Sequence, residues 1–290
     1  MRYLIWRSFL TTVRNPVLLR VRLFQTVVSR TYCHKMKSIG KQLQIIGVLI
    51  GLVYLGTSVQ QSTILNINGV LFTLVCNMNY LFQFVVVEVF CVEMPIFLRE
   101  HANGLYRTDT YFIAKNLAEA PQYIALPLLF TSILYWMAGL APVVGAFALC
   151  CLINVLMANT AISIGYAASC IFEDISVAIS VMPAFVLPAM AFAGFFINQD
   201  TLPIYFIYLR FLSYFGYAYE SLVINEWSHV DYIPGCANRT TCLETGADVI
   251  ESLSFNADNL YPDILALLIM TIIIRVIAFI ALYIRASRRK

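Results

Sequence analysis

Six stretches of the chain contain almost no charge, and each is long enough for a helix to cross a lipid bilayer. They are residues 42–58, 69–92, 117–139, 143–171, 175–197 and 264–284. A crossing helix needs about 20 predominantly apolar residues. The 290 residues are 60% hydrophobic and 12% charged, whereas soluble proteins carry about 25% charged residues. The sequence therefore predicts an all-α polytopic membrane protein with six transmembrane helices.

Basic residues predict how these helices are oriented. Of the 19 Lys and Arg residues, most precede the first apolar run, lie between the second and third, or follow the sixth. Positively charged residues that flank spans stay in the cytoplasm. Both termini, including a tail at 285–290, are therefore predicted to be cytoplasmic, and the long loop 198–262 is predicted to lie on the outer side.

Three segments outside the spans have distinct compositions. Residues 1–28 combine apolar side chains with arginines, which predicts an amphipathic helix in the headgroup plane; such a helix is either a basic anchor or a coupling element. Residues 93–107 carry paired charges and predict a short cytoplasmic helix-turn, which either docks a soluble partner or is a solvated loop. The aromatic segment 202–219 predicts a pair of short re-entrant helices.

The outer loop contains a sequence typical of secreted regions. Asn238-Arg239-Thr240 is an N-glycosylation sequon at Asn238. Cys236 and Cys242 lie on either side of it, on the side where disulfides form. We predict an intraloop disulfide between these two cysteines, with an intermolecular bridge as the alternative.

Chemistry-bearing motifs are sparse. The 290 residues contain no G-x-x-x-x-G-K-[S/T] phosphate loop and no closely spaced histidine pair, so we predict no catalytic residue, no metal site and no ATP binding by that route. Charges inside spans are costly and are candidates for function. Glu88 is one, and we expect Glu119 and Arg275 to pair or to extend toward the interface.

Several motifs together resemble one transporter family. They are Arg7-Ser8-Phe9, Asn15-Pro16, Asn66-Ile67-Asn68-Gly69, Pro95-Ile96-Phe97-Leu98-Arg99-Glu100, Leu105-Tyr106-Arg107-Thr108-Asp109, Glu119-Ala120-Pro121, Gly194-Phe195-Phe196-Ile197-Asn198 and Tyr219-Glu220-Ser221-Leu222-Val223-Ile224-Asn225-Glu226-Trp227. This pattern resembles the transmembrane domain of G-subfamily ATP-binding cassette half-transporters. The last motif and the cysteine-framed sequon are most similar to the White, Scarlet and Brown branch.

The resemblance implies a fold and a set of partners. The fold is the ABC-2 type exporter transmembrane domain over 42–284, with six helices that form a homo- or heterodimer around a central cavity. An ATP-binding domain, which is normally fused upstream and holds ATP and Mg, is implied as a further partner. The implied membrane is the plasma membrane or that of an intracellular pigment granule.

Functional positions follow from the resemblance residue by residue. The substrate cavity is implied to include Asn77, Tyr80, Pro183, Leu187 and Met190. Phe195 and Phe196 match the apolar gate at the cavity's upper end. The coupling positions are Arg7, Glu88, Glu93, Arg99, Glu100 and Arg107; among these, Glu88 matches a buried glutamate that ties the second span to its neighbours.

The chain departs from the family pattern at residues 29–44. In the family the N-terminal helix runs almost directly into the first span, and removing these residues would join Val28 to Ile45. We interpret the segment as an insertion or a gene-model error, which leaves the start of the first span open.

The implied function is ATP-driven export of small aromatic or moderately hydrophobic metabolites, of the eye-pigment precursor type, by alternating access. Sterol or lipid export is an alternative. So is a truncated, non-transporting subunit that regulates a full-length half-transporter, or a permease served by a separately encoded ATPase.

Overall fold

The computed structural model describes residues 44–105, 107–172, 174–197, 203–235 and 242–288. Helices and the turns between them make up these residues, and no β-strand occurs among them. The described residues from Ile46 onward belong to one compact unit. The predicted N-terminal helix 1–28, nearly all of segment 29–44, and the sequon lie outside the described residues.

Nine α-helices occur in the described part of the chain. They are α1 (Gln44–Val53), α2 (Ile64–Ala102), α3 (Thr108–Ala138), α4 (Val144–Ile171), α5 (Ile175–Ala191), α6 (Ile207–Leu212), α7 (Tyr214–Trp227), α8 (Gly246–Ser252) and α9 (Leu260–Arg288). Short 3-10 helices precede α2, α6 and α9, at Gln61–Thr63, Ile204–Phe206 and Ala257–Asn259. The all-α prediction is thereby confirmed.

Four helices, α2, α3, α4 and α9, are long and apolar enough to cross a membrane. Helices α1 and α5 are also apolar but shorter. Every predicted apolar run therefore contains a helix, because in hydrocarbon the backbone must form its hydrogen bonds within the segment. That all six runs cross the membrane stays a prediction.

Helix α2 is longer than its predicted run. It continues to Ala102 and includes Pro95, so the charged segment after residue 92 begins as the last turns of α2 rather than as a separate helix-turn. Met94, Phe97 and Leu98 are buried there, and this apolar stripe keeps the helix on the core. A turn with Gly104 at φ 73° follows, before α3 begins.

Helix α5 is shorter than its predicted run and ends at Ala191. The backbone N–H of Phe192 still bonds to the carbonyl of Pro188 at 3.1 Å. Gly194 then adopts φ 92°, a left-handed conformation that suits glycine and ends the helical path. Phe195 and Phe196 therefore lie in the turn after α5 rather than inside it.

Helix α4 is the centre of the bundle and packs against α2, α3, α7 and α9. Small residues line its buried side, among them Ala158, Ala161 and Gly165. A Cβ at Gly165 would lie 3.0 Å from the Gln83 carbonyl oxygen of α2. Small residues permit such close approach of two helix backbones in membrane proteins.

The aromatic segment is divided between two environments. Every residue of α7 except Tyr217 is buried, and the Trp227 indole Nε1 donates to Asn68 Oδ1 of α2 at 2.8 Å. On the preceding segment, by contrast, Tyr205, Tyr208 and Phe211 are exposed. The two short helices that the sequence predicts are present as α6 and α7, and their re-entrance into the membrane stays a prediction.

We name the two ends of the bundle by the chain that joins the helices there. The loop end carries the described residues 228–235 and 242–259, and Gln61 N–H bonds to the Pro234 carbonyl at 3.1 Å beside the start of α2. The turn end is where α2 gives way to α3. Because a helix rises about 1.5 Å per residue, the 39 residues of α2 separate the two ends by about 58 Å.

Cysteines in the described part of the chain agree with the sequence-based interpretation of the spans. Cys76, Cys91, Cys150, Cys151 and Cys170 are free, whereas Cys242 of the loop is disulfide-bonded. Cys236 lies outside the described residues, so its pairing with Cys242 stays a prediction.

Candidate functional site

Helices α2 and α5 pack against each other. We define the α2–α5 face by the predicted cavity residues that these two helices carry, which are Asn77, Tyr80, Pro183, Leu187 and Met190. The two helices meet through sulfur and hydroxyl groups. Cys76 Sγ lies 3.7 Å from Met190 Sδ, and the Tyr80 hydroxyl lies 3.9 Å from the same sulfur. The structure therefore brings Tyr80 and Met190 together, and it adds Cys76, which the sequence pattern indicated only as a small apolar residue.

The α2–α5 face is apolar with few polar groups. Asn77 uses its side-chain amide on the carbonyl of Thr73, one turn earlier, at 2.8 Å. The Tyr80 ring stacks on Phe84 with centroids 5.9 Å apart. Leu187 is 51% exposed in the single chain. Such a face offers aromatic, thioether and amide contacts to a ligand but no charge.

Helix α5 packs against the bundle along one narrow stripe. Its buried residues are Ala178, Met182 and Val186, spaced four apart, so they lie on one side of the helix. The apolar residues Val177, Ile179 and Phe185 are exposed in the single chain. Most of the apolar surface of α5 is therefore left for lipid or for a second protein to cover.

The predicted gate pair belongs to an aromatic cluster below the loop end. Phe195 stacks on Phe72 of α2 with centroids 4.6 Å apart, and meets Tyr219 of α7 edge-on at 5.9 Å. Phe196 meets the Phe72 ring edge-on at 5.1 Å and is 60% exposed. The sequence predicted the pair but not its partners Phe72 and Tyr219, which come from distant parts of the chain.

A buried charge network joins α2, α3 and α4 toward the turn end. Lys115 Nζ contacts Glu93 Oε2, and lies 3.1 Å from Glu119 Oε1 one helical turn along α3. The Tyr123 hydroxyl donates to Glu119 Oε2 at 2.6 Å, and the Tyr166 hydroxyl of α4 donates to the same oxygen. We call these five residues the charge network. One cation lies between two carboxylates, which is the arrangement that buried charges require.

Of the two alternatives for Glu119 and Arg275, the structure does not show the direct pairing between them. Glu119 pairs with Lys115 rather than with Arg275, whose guanidinium donates to Asn159 Oδ1 at 2.9 Å and to Ser163 Oγ at 3.1 Å. Lys115 and Glu119 are four residues apart on α3, and this i,i+4 spacing is the sequence signal that points to Lys115 as the partner of Glu119. Glu88 is exposed in the single chain, and its expected role in tying α2 to its neighbours stays a prediction.

The other coupling positions lie near the turn end. Glu93 belongs to the charge network, whereas Arg99 is exposed and Glu100 is half-buried on the last turns of α2. Arg107, largely exposed, forms an ion pair with Asp109 at 3.6 Å. Arg7 lies outside the described residues. The structure thus gathers Glu93, Arg99, Glu100 and Arg107 at one end of the bundle, and their role in coupling stays a prediction.

Comparison with known proteins agrees with this architecture. The model of the family described as "ABC-2 type transporter" matches residues 1–227. The ABC transporter ATP-binding protein/permease wht-1 of Caenorhabditis elegans is 44% identical over 290 residues, which is 98% of this chain and 41% of the relative. Protein white of Drosophila melanogaster is 38% identical over 293 residues, covering 100% of this chain and 40% of the relative.

A third relative belongs to the same branch. Protein scarlet of Drosophila melanogaster is 29% identical over 291 residues, which is 99% of this chain and 41% of the relative. The chain therefore spans about two fifths of the length of the curated relatives that it matches, and the resemblance to the White and Scarlet half-transporters is confirmed. With the family model covering most of its length and a bundle of long apolar helices, the chain belongs to the ABC-2 type transporter family.

Proposed function

We propose that this chain is the transmembrane half of an ATP-driven exporter, which moves small aromatic or moderately hydrophobic metabolites by alternating access. The observation that carries the proposal is the α2–α5 face, where Tyr80, Cys76 and Met190 meet on an otherwise apolar surface. Ligand sites are typically apolar with a few placed polar groups. Asn77 and the Tyr80 hydroxyl would be those groups.

The substrate class follows from the chemistry of that face. Aromatic rings and thioether sulfurs make favourable contacts with flat π-systems. No charged side chain is among the proposed cavity residues, so a strongly ionised substrate would lose its hydration without a compensating partner. Metabolites derived from tryptophan or guanine fit this description, as the resemblance to the White branch implies.

We propose that a second half-transporter completes the cavity. The exposed apolar surface of α5 and the exposed Tyr80 ring supply a face that such a partner would cover. An ATP-binding domain, which carries ATP and Mg, would act at the turn end, where Arg99, Glu100 and Arg107 lie. We further propose that both termini are cytoplasmic, that Asn238 is glycosylated, and that the protein works in the plasma membrane or a pigment-granule membrane.

The charge network suggests how motion at the turn end would reach the cavity. Glu93 is on the same helix as Tyr80, and Lys115 ties it to α3. A displacement of α3 would therefore move α2 as well, because breaking a buried ion pair is costly. Rigid coupling of this kind suits alternating access, in which helices move as units.

Uptake into inside-out vesicles tests the function. The full-length protein, alone and with a candidate partner, is expected to accumulate a labelled tryptophan-derived or guanine-derived compound only when ATP is present. Tyr80→Ala should raise the KM for that compound about tenfold, since one aromatic contact contributes about 1.4 kcal/mol. Tyr232→Ala, at a loop tyrosine that is 67% exposed, is the matched control and should leave KM unchanged.

Other outcomes would identify the alternatives. ATP-dependent movement of a sterol or phospholipid, with no aromatic uptake, would replace the proposed substrate class. Absence of transport, together with altered activity of a co-expressed half-transporter, would indicate a regulatory subunit. Phe195→Ala tests the gate separately: it should raise basal ATPase activity by opening the aromatic cluster, and unchanged transport and ATPase activity would contradict the gate assignment.

A further inference from the structure

Two carboxylates are buried near the loop end, on two helices, α7 and α9, that pack against each other. Glu220 is on α7, and Asp263 is near the start of α9; each is 5% exposed. Neither residue has a role in the transport proposal. Buried acids of this kind are rare unless a cation or hydrogen-bond donors compensate them.

The local geometry turns both acids toward the same junction. Asn259 Nδ2 donates to Glu220 Oε1 at 3.0 Å, so the 3-10 helix that leads into α9 faces α7. Asp263 follows Asn259 by four residues, and therefore lies on the same side of the helical path. Negative charges on Glu220 and Asp263 would therefore face each other across this junction and repel each other.

The groups around the pair do not neutralise it. Arg210 of α6 attracts both acids, but none of the ion pairs within 4.0 Å among the described residues joins it to either one. Tyr217 of α7 also faces the pair, and its hydroxyl donates instead to the Phe211 carbonyl at 2.9 Å. Glu220 accepts from Asn259 and from the Asn256 backbone N–H.

Asp263 is left with an unused oxygen. Its Oδ2 is buried and has no hydrogen-bond partner in the described part of the chain. A buried oxygen without a donor costs free energy as a carboxylate, whereas a protonated carboxyl is itself a donor. Two like charges in one buried site favour the state in which one of them is protonated.

We propose that Glu220 and Asp263 together bind one proton, and that this proton holds α7 against the start of α9. A proton fits the site better than a metal ion, because no group of three or more His, Cys, Asp or Glu side chains suited to a metal occurs among the described residues. Release of the proton leaves two repelling charges between the helices. The α7–α9 junction at the loop end is therefore expected to loosen as pH on that side rises.

Infrared pH titration of the full-length chain in lipid nanodiscs tests proton binding directly. The wild type should show the C=O band of a buried carboxylic acid near neutral pH, which disappears as pH rises. In Asp263→Asn or in Glu220→Gln the remaining acid should titrate at a pH lower by about one unit or more, because the repulsion between the two is gone. Asp258→Asn, at an exposed acid on the adjacent 3-10 helix, is the matched control and should leave the band unchanged.

Thermal stability provides the second measurement. A proton bound more tightly by the folded state stabilises it at low pH, and this stability is lost as pH rises through the titration of the folded protein. The unfolding equilibrium constant of the wild type should therefore rise by up to about tenfold per pH unit through that titration. Asp263→Asn mimics the protonated acid and should flatten the profile; if it does not fold, Glu220→Gln serves the same purpose.

Three results would overturn the proposal. The first is the absence of the infrared band from the wild type, or a band that titrates at the same pH in the wild type and in both variants. The second is a stability profile that Asp263→Asn and Glu220→Gln leave unaltered. The third is stabilisation of the wild type by Na⁺ or Ca²⁺ at constant pH with no effect of protons, which would make the pair a metal-cation site.

Discussion

The two ends of the bundle bury acidic side chains in different ways. Toward the turn end, Glu93 and Glu119 share Lys115, and two tyrosine hydroxyls complete the coordination of Glu119. At the loop end, Glu220 and Asp263 are buried with no ion pair within 4.0 Å in the described part of the chain, and Asp263 Oδ2 has no hydrogen-bond partner there. The comparison teaches that a buried acid can fix helices rigidly or respond to pH, according to whether a cation accompanies it.

The largest expected effect comes from removing the cation of the charge network. Lys115→Met leaves Glu93 and Glu119 buried without a counter-charge, which should lower the free energy of unfolding by roughly 3–5 kcal/mol. Thermal unfolding of the purified chain in detergent measures this loss. Arg99→Met, at an exposed position on α2, should change stability by less than about 0.5 kcal/mol. A small effect of Lys115→Met would mean that the two ends do not differ as we describe.

A second contact at the loop end is between backbones: the start of α8 packs closely against the end of α7. Gly246 begins α8, and a Cβ at this position would lie against the Trp227 carbonyl oxygen and 2.8 Å from the Val230 carbonyl oxygen. Gly246→Ala should therefore force α8 away from the end of α7 and cost about 1–3 kcal/mol. Gly145→Ala is the matched control, because a Cβ there has no neighbour within 4 Å, and it should be neutral or slightly stabilising.

A smaller effect is expected at the hydrogen bond between α7 and α2. Trp227→Phe removes the indole donor and leaves Asn68 Oδ1 buried without it, at a cost of about 1–2 kcal/mol. Trp136→Phe provides the comparison, since Trp136 is 63% exposed. Equal melting temperatures for the two variants would show that this bond does not hold the loop end to α2.

The smallest effect is expected at Asp248, an acid of the loop end that has donors. Backbone N–H groups of Thr245 and Glu244 and the Thr245 hydroxyl hold the pKa of this carboxyl below its ordinary value. A lowered pKa in the folded state stabilises α8 above the unfolded value of about 3.9, and this stabilisation is lost as pH falls through the lower folded value.

Hydrogen exchange measures this effect locally. Amide exchange in α8 should accelerate below about pH 4 relative to the intrinsic rate, with no change in the global melting temperature. Asp248→Asn should remove the dependence, and Asp258→Asn should not. The response is opposite in sign to the one expected for Glu220 and Asp263, so the two measurements together sharpen the contrast between an exposed acid held by backbone donors and a buried pair of acids.

Much of the fold was predictable because it depends on local composition. The apolar runs predicted where helices occur, and the match was good for α4, which extends from Val144 to Ile171 where the run covers 143–171. The boundary errors at Ala102 and Ala191 have local causes as well. Buried apolar residues on one side of α2 let the helix extend past the charged residues. The positive φ of Gly194 prevents the helix from continuing beyond the end of α5.

The candidate site was only partly predictable. Residue identities at the α2–α5 face and the gate followed from the family resemblance, but their contacts did not. Cys76 and Met190 are 114 residues apart, and Phe72 meets Phe195 across a similar distance along the chain. Such pairs depend on the rotation of each helix about its axis, which packing against several neighbours fixes and a single apolar run does not.

By itself, then, the sequence determined that the chain forms apolar helices of membrane-spanning length and that its motifs are those of an ABC-2 type exporter, because hydrocarbon admits few solutions for a backbone. Tertiary structure decided which charges meet. It paired Lys115 with both Glu93 and Glu119, and it paired Arg275 with neutral side chains. It also buried Glu220 and Asp263 with no ion pair within 4.0 Å among the described residues. The physical reason is that the energy of a buried charge depends on atoms within a few ångströms, and helices distant in sequence supply those atoms.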